Sequence, residues 1–369
     1  MIPAVDILEG VALAPRTTLE LGGPARFYLV AKSEAMVTDA LRWARLRGVR
    51  AAILGGGSNL VVSDDGFDGL VIELDLFGVE EVEEGDRVIV TAAAGEEWDP
   101  LVARTVAAGL AGLECLSGIP GRVGATPIQN VGAYGQEVSD TLRSVRVLDR
   151  ASLTVRTLSS DECELAYRDS MLKRDPDRHV VLAVSYALVP GGAPAVRYAE
   201  LERAVAGVTP TLAMVRDTVL SLRRAKSMLI DEEDPNRRSA GSFFTNPIVE
   251  REVAEALAER AVAEGLVASA EEVPRWPVTA ADGSARTKLA AGWLIERAGI
   301  AKGMRHGRAG VSTKHALALV HHGGGTTAEL MQLAARVRAA VKARFGVTLV
   351  PEPTLWGFDG DPFRVAPDA

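Results

Sequence analysis

Gly55-Gly56-Gly57-Ser58-Asn59 comes after a short apolar run at 50–54, where successive backbone N–H groups with no obstructing Cβ atoms can form a concave nest for a phosphate. Read alone, the same glycines serve equally well in a tight turn. Two Rossmann requirements fail: Leu60 stands where the third glycine belongs, and residues 60–62 are β-like rather than the start of a helix. No Gly-Lys pair occurs in the chain, so a Walker A loop is absent as well. A dinucleotide bound here needs another fold. A second loop, 118–135, places five glycines in eighteen residues, a density that suggests backbone packed against a ligand rather than a plain Ω-loop. Tyr167-Arg168-Asp169-Ser170 and the run 239–247, which carries Ser242 and Asn246, are polar or glycine-bearing segments that line sites but also make caps and turns. Glu352 stands between Pro351 and Pro353. His321-His322-Gly323-Gly324-Gly325 reads as a turn before a helix, with Thr326 or Thr327 as its N-cap. Five histidines without HExxH spacing speak against a metal site.

Periodicity supplies the elements that must hold these residues. Phe27 to Val30 alternates as a strand into Ser33, an N-cap, and Met36, Val37, Ala40, Leu41 and Ala44 recur at helical spacing until Gly48. Further β-rich runs lie at 60–62 and 70–74, and 79–91 reads as a hairpin turning at Glu84-Gly85-Asp86. Helical spacing returns at 101–106. Residues 143–189 are β-rich again, with a short capped helix at 159–162. A helix from Thr211 to about Ala225 leads into the charged segment 231–238, the expected main domain boundary. Helices at about 250–264, 287–298 and 326–345 alternate with short strands, ending in a strand at 347–349.

At 369 residues the chain is long enough for two or three modules. Apolar residues make up 47% and charged residues 24%, the balance of a globular protein rather than a disordered or coiled-coil one. Lys plus Arg number 41 against 49 Asp plus Glu, so no global charge draws the chain to nucleic acid or anionic lipid. Cys115 and Cys163 form no CxxC pair, which excludes a zinc ribbon and a disulfide framework. With no signal sequence and no apolar span of the roughly 18 residues a transmembrane helix needs, a cytoplasmic location without membrane insertion is expected.

In their order, 18–25 (TLELGGPA), the GGGSN loop, IPGRVGATPIQNVGAYG, YRDS, GSFFTNP, AGWLIE at 291–296 and Pro351-Glu352-Pro353 resemble the UDP-N-acetylenolpyruvoylglucosamine reductase family across nearly the whole chain. The resemblance implies an α+β protein. A two-part FAD-binding module of the vanillyl-alcohol-oxidase (PCMH) type would occupy 15–228, with subdomains at about 15–77 and 78–228. A smaller α+β substrate-binding domain would come next at 229–358, then a tail at 359–369. It implies FAD as cofactor, NADPH as reductant and UDP-N-acetylglucosamine enolpyruvate as substrate, with no nucleic acid and no obligate protein partner.

By the same resemblance, FAD is held by Gly55, Gly56, Gly57, Ser58 and Asn59 and by Gly118, Gly121, Gly124, Gln129, Asn130 and Gly132 of the second loop. Many relatives carry an acidic residue at the position of Gly56, a departure that a backbone cradle tolerates. Arg168 would grip the substrate carboxylate through a two-pronged guanidinium fork. Ser242 would deliver a proton, and Glu352 would orient Arg168. Tyr198, Lys226 and Asn246 match positions that hold the UDP part. Two rivals are a flavin oxidase on the same fold and a non-catalytic UDP-sugar-binding regulator; neither accounts for Arg168, Ser242 and Glu352 occurring together.

Overall fold

In the computed structural model, which describes residues 6–279 and 283–363, the chain divides into two compact units. Among the described residues, the first comprises 6–16, 24–57 and 66–230, the second 17–23, 58–65, 231–279 and 283–363.

The first unit opens with strand, helix, strand. Ser33 accepts a hydrogen bond from the Met36 N–H and so caps the helix Glu34–Leu46, whose Val37, Ala40, Leu41, Trp43 and Ala44 are buried. That crossover makes Pro24–Ala31 and Ala51–Leu54 both parallel to Phe67–Leu74, with Leu8–Ala12 antiparallel at the edge. A second, antiparallel sheet runs in the order Val155–Ser159, Leu142–Asp149, His179–Pro190, Arg87–Ala93, Val79–Glu84. One apolar core underlies both sheets and takes in Leu70, Ile72, Val90, Val145, Val184 and Tyr186. Trp98, at the start of the helix Trp98–Ala107, is 1% exposed and satisfies its indole N–H on the Leu116 carbonyl at 3.1 Å.

The second unit packs the helices Arg251–Ala263, Ala291–Arg297 and Thr327–Phe345 on short antiparallel strands, among them Ser239–Ser242 against Ala318–His321. A parallel pair joins Leu60–Val62 to Thr354–Trp356. The resemblance places 17–23 and 58–65 in the module at 15–228, whereas their packing groups them here. Leu19, Leu21 and Val61 are buried in the second core. Thr18 Oγ1 donates to the Ser239 carbonyl at 2.6 Å, and Asp64 accepts the N–H groups of Thr327 and Ala328 at 2.8 Å each.

Three local expectations change. The helix expected at 287–298 begins only at Ala291, because Ala285–Leu289 is the middle strand of a three-stranded sheet. Residues 347–349 are irregular: Val347 and Leu349 are buried in the core, and the last strand is Thr354–Trp356. The short helix near 159–162 is a 3-10 turn, Asp161–Cys163. Thr326 caps Thr327–Phe345 in a reciprocal capping box with Glu329, so the His321 to Gly325 glycines precede an ordinary helix start. Of the expected tail, residues 364–369 lie outside the described residues. No helix among the described residues is long and apolar enough to cross a membrane, and none of their His, Cys, Asp and Glu side chains cluster as a metal site.

Candidate active site

Gly55, Gly56 and Gly57 leave the carboxyl end of the parallel strand Ala51–Leu54, the end at which open α/β sheets bind ligands. Gly57 has φ +62°, a conformation glycine adopts without strain. A Cβ on Gly56 would lie 2.8 Å from the Gly121 Cα, so the two loops touch backbone to backbone. No acceptor among the described residues takes the N–H of Gly56 or Gly57. These amides fit a pyrophosphate.

The second loop's glycines divide by role. A Cβ on Gly118 would meet Leu229 at 2.5 Å, one on Gly124 would meet Ala94 at 2.6 Å, and one on Gly132 would meet Glu137 at 2.7 Å. Packing within the protein therefore already fills the space of a Cβ at these three positions, with fixed atoms at Gly124 and with flexible side chains at Gly118 and Gly132. Gly118 is fixed further, its N–H donating to Asp99 at 2.6 Å while Asp99 takes both prongs of Arg216. Gln129 is half-buried on the same loop. Asn130, 1% exposed, donates from Nδ2 to Glu137, Ser139 and the Ala166 carbonyl and accepts the Ser139 N–H at 2.9 Å. Its side chain ties the loop to the YRDS turn, so its backbone is what it can offer a cofactor.

That turn carries Arg168 at φ +54°, a left-handed conformation costly for a long side chain. Its guanidinium donates to the carbonyls of Gly132 at 2.7 Å and Asn130 at 3.4 Å, and lies 5.4 Å from the Tyr167 ring centroid. Lys173 Nζ donates to the Arg168 carbonyl at 2.8 Å, and Ser170 caps the next turn while donating to the Ile128 carbonyl at 2.6 Å. The glycine-rich loop thus aims the arginine.

Also in the first unit, Tyr198 meets Tyr134 edge to face at 5.6 Å, and Lys226 Nζ lies 5.7 Å from the Tyr134 ring. Burial pushes the Tyr134 phenol up to about 12. Lys226 pairs with Glu200, and Arg223 donates to the carbonyls of Gly118 and Met228. Sequence reasoning does not single out Tyr134 or Glu200; their signal is only proximity to Gly135 and Tyr198.

In the second unit, Ser242 ends the strand Ser239–Ser242, opposite Ala318, after an irregular register at Gly241, φ +73°. Phe243 and Phe244 are buried, their rings 5.1 Å apart, and clamp the segment into the core. The next residues pair with the tail: Thr245 N–H donates to the Val350 carbonyl at 3.0 Å, and Glu352 N–H to the Phe243 carbonyl at 2.9 Å. Glu352 is therefore held one residue from Ser242. Asn59 Nδ2 donates to the Glu352 carbonyl at 3.3 Å, and Thr354 N–H to the Asn59 carbonyl at 3.0 Å. Asn246 Oδ1 accepts the Ala291 N–H at 2.9 Å and so caps the helix Ala291–Arg297.

Two family models match these units: "UDP-N-acetylenolpyruvoylglucosamine reductase, C-terminal domain" over residues 234–356 and "FAD binding domain" over 25–159. A protein from Saccharopolyspora erythraea called UDP-N-acetylenolpyruvoylglucosamine reductase is 52% identical over 353 residues, covering 94% of each chain. The chain belongs to the UDP-N-acetylenolpyruvoylglucosamine reductase family. A reductase of the same name from Thermobifida fusca is 50% identical, covering 95% of this chain and 98% of its own. The solved UDP-N-acetylenolpyruvylglucosamine reductase of Thermus caldophilus, 24% identical, superposes with a TM-score of 0.63 over 96% of this chain and 99% of its own. The expected class, an α+β reductase with an FAD-binding module ahead of a C-terminal domain, is the one the chain has. Within the reductase family framework, the bare amides of Gly56 and Gly57 fit the pyrophosphate of FAD.

Proposed function

We propose that this protein reduces UDP-N-acetylglucosamine enolpyruvate to UDP-N-acetylmuramate with NADPH, through FAD, in cytoplasmic synthesis of peptidoglycan precursors. The observation that carries the reading is end-to-end similarity to the reductases, together with a second unit that sets Glu352 one residue from Ser242. The chemistry supplied by bound FAD is the relay of a hydride from NADPH to C3 of the enolpyruvyl group. Hydride arrival at C3 drives negative charge onto the substrate carboxylate, and Arg168, held by two carbonyls, binds that carboxylate. Ser242 Oγ gives its proton to C2 and recovers one from solvent; an enolate carbon is basic enough to accept it when the geometry is right. Glu352 orients the group that faces the carboxylate. Lys226, Asn246 and Tyr198 hold the UDP moiety, and the amides of Gly55 to Gly57 take the cofactor's pyrophosphate.

The deciding experiment is anaerobic stopped-flow. NADPH should bleach the yellow protein, and the enolpyruvyl substrate should restore its colour with formation of UDP-N-acetylmuramate. Restoration by oxygen but not by substrate would establish the oxidase instead. A colourless purified protein that binds UDP-sugars would establish the regulator.

A further inference from the structure

Lys226 is already occupied. Its ammonium pairs with the Glu200 carboxylate, each side chain 32% exposed. Glu200 lies in the first turn of the helix Ala199–Ala204, two residues after Tyr198, on a strap fastened at both ends. At Ala195 the N–H donates to Glu114 at 2.7 Å and the carbonyl accepts from the Cys115 thiol at 2.9 Å. Beyond Glu200, Leu201 and Val205 are buried with Cys115, Val215 and Val219. Between these fastenings Arg197, Tyr198 and Ala199 are exposed, and the Tyr198 ring against Tyr134 and the Glu200 ion pair hold the strap to the body of the unit.

We infer that Glu200 is an internal stand-in for the substrate's diphosphate: it occupies Lys226 in the free enzyme, competes with the phosphate for it, and is released with the strap when the phosphate binds. The inference rests on reading Lys226 as a diphosphate ligand. A carboxylate and a phosphate oxygen make the same charge-assisted hydrogen bond to an ammonium, and two anions on one lysine repel. The neighbouring cations have other partners: Arg223 donates to the Gly118 and Met228 carbonyls, and Arg197 pairs with Asp140 at 3.4 Å. Lys226 pairs with Glu200, carried on the strap two residues from Tyr198, so exchange at Lys226 frees that segment as the ligand arrives. Glu200 is thus a positioning residue that sets affinity for the nucleotide.

The test titrates UDP into the FAD-loaded enzyme by calorimetry, comparing the parent with Glu200→Gln, Lys226→Met and the double variant. Glu200→Gln should bind UDP about two- to fivefold more tightly, the range of one partly exposed ion pair. Glu200→Asp, which keeps the charge on a shorter arm and preserves the fold, should fall between parent and Gln. Lys226→Met should bind more weakly, and the double variant should match it, since Glu200 acts through Lys226. Trypsin cleavage after Arg197 without UDP should be faster in Glu200→Gln than in the parent, and tighter UDP binding by the same variant is the result that a merely structural ion pair would not give. If Lys226→Met weakens UDP while Glu200→Gln binds equally or less tightly, the stand-in is overturned and the lysine's substrate role survives. If Lys226→Met binds UDP like the parent, both fall.

Discussion

Asn59 and Glu352, 293 residues apart, are joined by a hydrogen bond of 3.3 Å from the asparagine Nδ2 to the glutamate carbonyl. The contact closes a circuit of backbone bonds. The Glu352 N–H reaches Phe243, next to Ser242, and the Thr354 N–H returns to the Asn59 carbonyl before Leu60–Val62 and Thr354–Trp356 run parallel. Both backbone groups of Glu352 are thus fixed, one by the segment that carries Ser242 and the other by the residue that ends the GGGSN loop. The unit boundary falls inside that loop, between Gly57 and Ser58, so the chain that leaves its glycines continues directly into the support of Glu352.

Replacing glycines of the first loop tests the cradle. A methyl group at 56 would stand 2.8 Å from the Gly121 Cα, so one loop must shift, but the cradle tolerates a side chain there and Gly56→Ala is expected to keep its flavin. Gly57→Val, which forces a branched side chain into the left-handed φ of +62°, is expected to lose flavin on dialysis, read as a fall in the ratio of visible flavin absorbance to protein absorbance. Retention of stoichiometric FAD by Gly57→Val would show that the loop's conformation is not what shapes the site.

The local elements were legible because capping and periodicity are local: Ser33 accepts the hydrogen bond expected of an N-cap, and the helix expected from Thr211 runs over Leu212–Ala225. Partners were not. Nothing in Leu60-Val61-Val62 says that it pairs with Thr354–Trp356, since a three-residue strand carries no register signal and its partner lies far along the chain. The strand expected at 347–349 had the right apolar residues, but Val347 and Leu349 bury their side chains without making a ladder. The glycines of 118–135 suggested a ligand by their density, and at 118, 124 and 132 the atoms nearest a Cβ belong to the protein itself, a packing that the sequence does not announce. Family resemblance supplied Arg168, Ser242 and Glu352, which composition alone would have left as a turn, a cap and a loop carboxylate.

Arg168→Lys keeps the charge and removes the planar fork that reaches the Asn130 and Gly132 carbonyls. Reoxidation of the reduced enzyme by substrate is expected to slow by about tenfold or more, a loss of about 1.4 kcal/mol or more, while bleaching by NADPH keeps its rate. Equal slowing of both half-reactions in stopped-flow traces would mark a general lesion of the loop.

Asp64→Ala tests whether 58–65 belongs to the second unit. Asp64 accepts two N–H groups at the start of the helix Thr327–Phe345 and brings a negative charge to its positive end. Losing it should cost about 1–2 kcal/mol in urea unfolding, with flavin content unchanged. A stability equal to the parent's would remove this staple from the second unit's support.

His179 predicts an acid limb. Its side chain is 1% exposed, neither ring nitrogen has a hydrogen-bond partner among the described residues, and Asp149 Oδ2 is 3.8 Å away. Burial, with Arg178 adding to it, holds its pKa below 6.5 despite Asp149. The unfolded chain therefore binds the proton first, so stability should fall as pH drops below about 6.5 and level off only below the native pKa. His321 is lowered in the same direction, also chiefly by burial. His179→Phe should flatten part of the slope in melts between about pH 6.5 and 5; an unchanged slope would assign the limb to other groups.

Ser242→Ala removes the proposed proton donor while leaving the clamp of Phe243 and Phe244 in place. NADPH should bleach the flavin at the parent rate, and the loss should fall on the second half-reaction, at about 10²- to 10⁴-fold. Without a donor at C2, hydride addition at C3 reverses, so incubation in D2O with deuterated reductant should wash deuterium into recovered substrate at C3. Ser242→Cys should regain part of the rate, because a thiol donates from nearly the same place. Glu352, held one residue away through the Phe243 carbonyl, is the alternative donor. Turnover of Ser242→Ala within a few fold of the parent would assign the proton to Glu352 or water and leave Ser242 as a strand-end hydroxyl.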